Sequence, residues 1–152
     1  MVNIVIEVSK YLLILLIAAY TYWNFSYFRF RDPWQQGRVC VRQNVAMFLL
    51  HFVAYAVLFL KSEDERVILF YLAQVVFLAV YLGLYKVFYP LRSRLLVNNM
   101  CMLLCIGFVI LTRLDFDKAI RQFVIVAVSA LITWIIPFIL ERVWQLANIP
   151  WV

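Results

Sequence analysis

The chain has 152 residues, of which 67% are hydrophobic and only 14% are charged, and its mean hydropathy is +0.93. Average soluble domains contain roughly 45–50% apolar and about 25% charged residues. A soluble domain of this length has too much surface for its volume to bury so many apolar side chains. The composition therefore excludes an ordinary soluble domain and indicates an integral membrane protein.

In chain order, the sequence contains five apolar segments, at about residues 4–28, 45–60, 67–89, 95–111 and 123–140. Each is near the roughly 17–25 residues that a helix needs to cross a hydrocarbon core about 30 Å thick. The second is the shortest and could be a tilted or interfacial helix. Because the segments are apolar on all faces, we predict an all-α, polytopic membrane protein with about five transmembrane helices.

The connections between the segments carry most of the charge and the helix-end signals. Pro33 cannot continue the first helix. We interpret that helix as a retained membrane anchor rather than a cleaved signal peptide. The stretch from Ser62 to Glu65 has the spacing of a capping box at the start of the third helix. We therefore expect residues 29–43 to form a loop and Ser62 to be the N-cap of the helix that follows it.

The basic residues favour one orientation in the membrane. Of the 14 Lys and Arg residues, eight lie in the tail and in the loops after the first and third helices, and six lie on the opposite side. The positive-inside rule then predicts an outside N-terminus, with the 29–43 loop and the C-terminus in the cytoplasm. Because these charges flank apolar spans, the net charge of +6 indicates contact with membrane lipid and no nucleic-acid partner.

The sequence contains no complete constellation for catalysis or for cofactor binding. His51 is the only histidine, which excludes paired-histidine haem ligation and a multi-histidine metal site within one chain. Cys101 and Cys105 lie four residues apart and could form part of a soft-metal site with His51. We favour packing roles for both thiols and a hydrogen-bonded, helix-face role for His51. Cys40, in the predicted cytoplasmic loop, is not expected to form a disulfide.

Three amide side chains fall within the predicted spans. Asn98 and Asn99 lie at the start of the fourth helix, and Gln74 lies inside the third. Amides at such positions hydrogen-bond between helices, whereas a substrate or ion path usually contains ionisable groups deep in the membrane. We therefore expect these amides to join helices.

The loop between the fourth and fifth helices alternates acidic and basic residues. Asp115 is a good N-cap for a helix that runs through Lys118 into the fifth span. Asp117 and Arg121 are four residues apart and could form an ion pair on the surface of that helix.

Residues 94–100 (RLLVNNM), 106–114 (IGFVILTRL) and 119–123 (AIRQF) resemble the opening of the FtsW/RodA/SpoVE (SEDS) family. In that family the first core helix runs outward from the cytoplasm and is followed by a short outer loop. The second core helix, which has a Gln near its start, returns to the cytoplasm. The resemblance covers about residues 94–150. It divides the chain into an N-terminal three-helix extension, 1–93, and the first two core helices, 94–152.

The resemblance implies a multi-pass glycosyltransferase of the bacterial plasma membrane that polymerises lipid II during cell division or cell-shape maintenance. Its implied partners are a penicillin-binding transpeptidase and other membrane proteins of the divisome or elongasome. The family's catalytic acid lies in a downstream loop, so the chain would be an N-terminal fragment without catalytic residues, and no cofactor or metal is implied. Arg113, Arg121 and Gln122 of the matched stretch, with Asp115, form a candidate outer-loop motif. The alternative is a small, stand-alone membrane scaffold or interaction protein.

Overall fold

A computed structural model describes residues 2–88 and 93–147, which form five α-helices. They are α1 (Val2–Arg29), α2 (Pro33–Ser62), α3 (Glu65–Phe88), α4 (Arg94–Leu114) and α5 (Phe116–Ala147). All five are long and apolar enough to cross a membrane. The predicted all-α, polytopic architecture is therefore confirmed.

Helix α2 is much longer than the segment expected at 45–60. It begins at Pro33, after Asp32, whose side chain accepts a hydrogen bond from the Trp34 N–H at 3.2 Å. Proline suits the first position of a helix because a backbone N–H at that position would have no partner within the helix, so nothing is lost by its absence. Most of the expected loop at 29–43 is therefore helix. With 30 residues, α2 is about 45 Å long, enough to cross the hydrocarbon core and continue into the interface.

The turn between α2 and α3 differs from the expected capping box. Ser62 is the last residue of α2, and its hydroxyl donates to the Leu58 carbonyl at 3.0 Å. The cap of α3 is instead Asp64, which accepts a hydrogen bond from the Arg66 N–H at 2.9 Å. Glu63 lies between them in the left-handed region, with φ 52°, and its N–H closes the end of α2. The capping-box prediction was wrong because α2 extends through Ser62.

The main core lies where α1, α2 and α4 meet, with α3 contributing from the side. Its buried members come from these four helices: Leu16, Tyr20, Ala46, Met47, Leu50, Val53, Leu78, Val97, Cys101, Met102 and Cys105. A smaller cluster of Tyr55, Val67, Phe70 and Ala119 joins α2, α3 and α5. Helices on both sides of the predicted boundary at residue 93 share this packing, and the division into an extension and core helices remains a prediction.

Candidate functional site

The first residues of α4 hold a group of side-chain amides against α1. Asn99 Oδ1 accepts hydrogen bonds from the Tyr20 hydroxyl and from Asn24 Nδ2, both at 2.9 Å. Asn99 Nδ2 in turn donates to Asn24 Oδ1 at 3.1 Å. The two asparagines therefore exchange hydrogen bonds between α1 and α4.

The same group extends into α2. Asn98 Nδ2 donates to the Cys40 carbonyl at 3.1 Å and to Gln43 Oε1 at 3.2 Å. Gln43 Nε2 donates to Asn24 Oδ1 at 3.3 Å. Gln43 and Asn98 are both buried. We call the five side chains Tyr20, Asn24, Gln43, Asn98 and Asn99 the amide network; it joins α1, α2 and α4.

A second polar group, the tyrosine network, consists of Tyr55, Gln74 and Thr112. The Tyr55 hydroxyl accepts a hydrogen bond from Gln74 Nε2 at 2.8 Å and lies 2.8 Å from Thr112 Oγ1. Thr112 Oγ1 also donates to the Phe108 carbonyl of its own helix at 2.7 Å. These bonds join α2, α3 and α4. The expectation that Asn98, Asn99 and Gln74 join helices is confirmed.

His51 lies between the two networks but belongs to neither. It is fully buried, with its ring centroid 4.8 Å from that of Tyr55 and 5.3 Å from that of Tyr71. Within the described part of the chain, neither ring nitrogen has a hydrogen-bond partner. The expectation of a hydrogen-bonded histidine was wrong because α2 directs the ring into an aromatic environment.

The three cysteines are all buried, and none forms a disulfide. Cys101 and Cys105 belong to the main core, as expected for packing residues. Cys40 lies inside α2 rather than in a loop, and only 5% of it is exposed. Among the described residues, no three His, Cys, Asp or Glu side chains are placed to hold one metal ion.

The turn between α4 and α5 consists of Asp115 alone. Its carboxylate accepts a hydrogen bond from the Lys118 N–H at 3.1 Å and forms an ion pair with Lys118 Nζ at 3.1 Å. The hydrogen bond from the Lys118 backbone N–H, followed by the Lys118 side chain, lowers the pKa of Asp115 below its ordinary value. The expected N-cap is confirmed. The expected ion pair between Asp117 and Arg121 is not formed; Asp115 and Lys118 form the ion pair of this turn.

The structure separates the four residues of the candidate outer-loop motif. Arg113 lines a cavity of about 410 Å³ with Lys61 and Asp64, at the end of the bundle where the Asp115 turn also lies. Arg121 and Gln122 are exposed on α5, where they form no side-chain hydrogen bond within the described residues. The motif is therefore spread over a turn and a helix surface, and its role stays a prediction.

The sequence analysis missed three members of the amide network: Tyr20, Asn24 and Gln43. Asn24 is an amide near the end of an apolar segment, so the reasoning applied to Asn98 would also have predicted an interhelical hydrogen bond for Asn24. Gln43 was assigned to a loop because α2 was drawn too short. Tyr20 had no signal of its own, since tyrosine is also common at membrane interfaces.

The hydrogen bonds of the amide and tyrosine networks hold α1, α2, α3 and α4 together. In comparisons with known proteins, no family model, no curated protein and no solved structure matches the chain.

Proposed function

We propose that the chain is a non-catalytic membrane module of a peptidoglycan glycosyltransferase of the FtsW/RodA/SpoVE type in the bacterial plasma membrane. The stretches RLLVNNM, IGFVILTRL and AIRQF, which resemble that family, support this proposal. They fall on α4 and on the start of α5, on either side of the Asp115 turn. A helix, a short polar turn and a returning helix are the order of elements that the resemblance implies.

The surface of α5 is the observation on which the proposal mainly rests. Over residues 116–136, α5 packs on α4 and α3, yet only about 6% of the residues in its most apolar stretch are buried within the bundle. Many of its large apolar side chains are more than half exposed: Val124, Ile125, Leu131, Ile132 and Ile135. In a glycosyltransferase of this type, the next core helices and the penicillin-binding transpeptidase would pack against this side.

The second candidate function is a stand-alone membrane scaffold. Two polar networks that tie four helices together favour it, because interhelical hydrogen bonds give a small bundle stability of its own. The two candidate functions differ in whether a glycosyltransferase core or a transpeptidase packs against α5. They also differ in whether depletion of the protein lowers glycan synthesis.

The test combines depletion with photo-crosslinking in the native host. Depletion of the protein should lower the synthesis of new glycan strands, measured by incorporation of labelled precursor. A photo-crosslinking amino acid at Val128 on α5 should capture a glycosyltransferase core or a penicillin-binding transpeptidase, identified by mass spectrometry. The same amino acid at Ile14, an exposed residue of α1, is the matched control and should capture neither.

Two results would contradict the proposal. If glycan synthesis continued at its normal rate after depletion, the chain would have no part in polymerisation, and the scaffold function would be favoured. If Val128 and Ile14 gave the same products, α5 would have no partner that distinguishes it from a lipid-facing helix.

A further inference from the structure

A pocket of about 430 Å³ lies between the first turns of α2 and the start of α4. Three arginines line it: Arg38, Arg42 and Arg94. No carboxylate lines the pocket, and none of the three arginines forms an ion pair with a carboxylate of the described residues. Asp32, the acid next to the pocket along the chain, caps α2. We call this site the arginine pocket; its walls carry an uncompensated positive charge.

Gly37 lies next to the Arg94 guanidinium. A Cβ atom placed on Gly37 would lie 3.4 Å from Arg94 Nη1, so the guanidinium of α4 lies against the backbone of α2. A long side chain at this position would occupy the space of the Arg94 head group. A long side chain at position 37, rather than a Cβ atom alone, would therefore narrow the pocket.

One wall of the arginine pocket is apolar and faces outward. Trp34 is 66% exposed, and the Arg38 guanidinium carbon lies 4.7 Å from the centroid of its ring. Val41, two turns after Trp34 on α2, is 62% exposed and also lines the pocket. Trp side chains collect at the boundary between lipid and water, and a cation over the ring holds the guanidinium at that level. The pocket thus combines a cationic site with a surface suited to acyl chains.

We propose that the arginine pocket binds the phosphate of an anionic phospholipid headgroup. The planar guanidinium matches phosphate oxygens in a bidentate manner, and three of them can surround one phosphodiester. The helices α2 and α4 both begin here, and their positive ends add to the attraction for an anion. Basic pockets between transmembrane helices on the cytoplasmic side are typical sites for anionic headgroups, and the predicted orientation places this end inside.

A lipid fits the pocket better than a soluble phosphate does. A free phosphate would contact the three arginines but would leave Trp34 and Val41 uncovered. A phospholipid contacts the arginines through its headgroup and these two side chains through its acyl chains. Both ligands have the same anionic chemistry, so the experiment must compare them.

The test measures lipid binding to the purified full chain in detergent by native mass spectrometry. Phosphatidylglycerol and phosphatidylcholine are added separately. Both lipids carry a phosphodiester, but the choline cation of phosphatidylcholine offsets its charge and is repelled by the arginines. Each Lys or Arg at an anionic membrane surface contributes about fivefold, so we expect the three arginines together to favour phosphatidylglycerol by roughly a hundredfold. Joint replacement of Arg38, Arg42 and Arg94 by Gln should remove this preference. Arg66→Gln, which removes one exposed charge from the opposite end of the bundle, is the matched control and should keep it.

A second variant separates a missing site from a misfolded protein. Gly37→Leu keeps every charge, and it should lower the affinity for phosphatidylglycerol several-fold while the far-ultraviolet circular dichroism of the bundle is unchanged. Equal binding of the two lipids by the unmodified chain would overturn the proposal, and so would a Gly37→Leu variant that binds like the unmodified chain. Displacement of phosphatidylglycerol by equimolar glycerol phosphate would also overturn it, because the site would then be specific for a soluble phosphate.

Discussion

Replacement of Asn99 by Ala tests whether the amide network holds α1 against α4. The substitution removes the acceptor of the Tyr20 hydroxyl and both hydrogen bonds that Asn99 exchanges with Asn24. The Tyr20 hydroxyl and the Asn24 side chain would then be left without these partners in a part-buried site. We expect the variant to insert and form helices but to be less stable.

The magnitude follows from the number of bonds lost. Interhelical hydrogen bonds in membranes contribute on average about 0.6 kcal/mol, with a maximum of about 1.7 kcal/mol. Asn99→Ala removes three such bonds, so the free energy of unfolding should fall by about 2 kcal/mol. Tyr20→Phe removes only one of them and should cost about 0.6 kcal/mol. Asn99→Ala should therefore lower the free energy of unfolding more than Tyr20→Phe does.

The measurement is equilibrium unfolding of the purified chain in mixed micelles of a mild detergent and dodecyl sulfate, followed by circular dichroism. Gln35→Ala is the matched control, since Gln35 is an exposed amide of α2 with no side-chain hydrogen bond among the described residues. A double-mutant cycle between Asn24→Ala and Asn99→Ala should give a clear coupling energy. If Asn99→Ala were as stable as Gln35→Ala, or if the cycle showed no coupling, the amide network would not stabilise the bundle.

Three further predictions concern orientation, the Asp115 turn and His51. With the buried native cysteines replaced by Ala, an impermeant thiol reagent should label Gln122→Cys in intact cells but should label Gln35→Cys only after permeabilisation; the reverse pattern would invert the orientation. Asp115→Asn should preserve the first turn of α5 better than Asp115→Ala, because Asn also caps helices. The lowered pKa of Asp115 means that its carboxylate stabilises the turn fully above its ordinary value of 3.8 and less as the pH falls through the lowered value. The stability difference between the unmodified chain and Asp115→Asn should therefore shrink in acid, and thermal unfolding at several pH values measures it. His51→Leu should leave the unfolding free energy unchanged within about 1 kcal/mol, because neither ring nitrogen has a partner to lose; a larger loss in the same micelle assay would reveal a hidden partner.

The number and type of the helices could be predicted from the sequence because apolar runs of membrane-spanning length leave few alternatives. The ends of α2 could not be predicted in this way. Residues 33–44 contain Gln and Arg side chains, which lower the local hydropathy, yet these side chains do not prevent a helix from forming. Asp32 and Pro33 together were a start signal, but the proline was interpreted only as the end of the preceding helix.

The polar contacts between helices were only partly predictable for a different reason. An amide inside an apolar run indicates a hydrogen bond to another helix, and this reasoning applied to Asn98, Asn99 and Gln74. Which group accepts that bond depends on how the helices are rotated and displaced against one another. The partners Tyr20, Asn24 and Gln43 are brought together only by packing, and no spacing along the chain encodes that arrangement.

The two networks also explain why α5 differs from the other helices. The amide network joins α1, α2 and α4, and the tyrosine network joins α2, α3 and α4, so neither includes a residue of α5. Helix α5 is instead packed through aromatic contacts, in which the Phe123 ring meets those of Phe70, Phe77 and Phe108. Apolar contact gives little preference for a neighbouring helix over lipid, because lipid tails are equally apolar. A change in the packing partners of α5 would therefore break no hydrogen bond of either network.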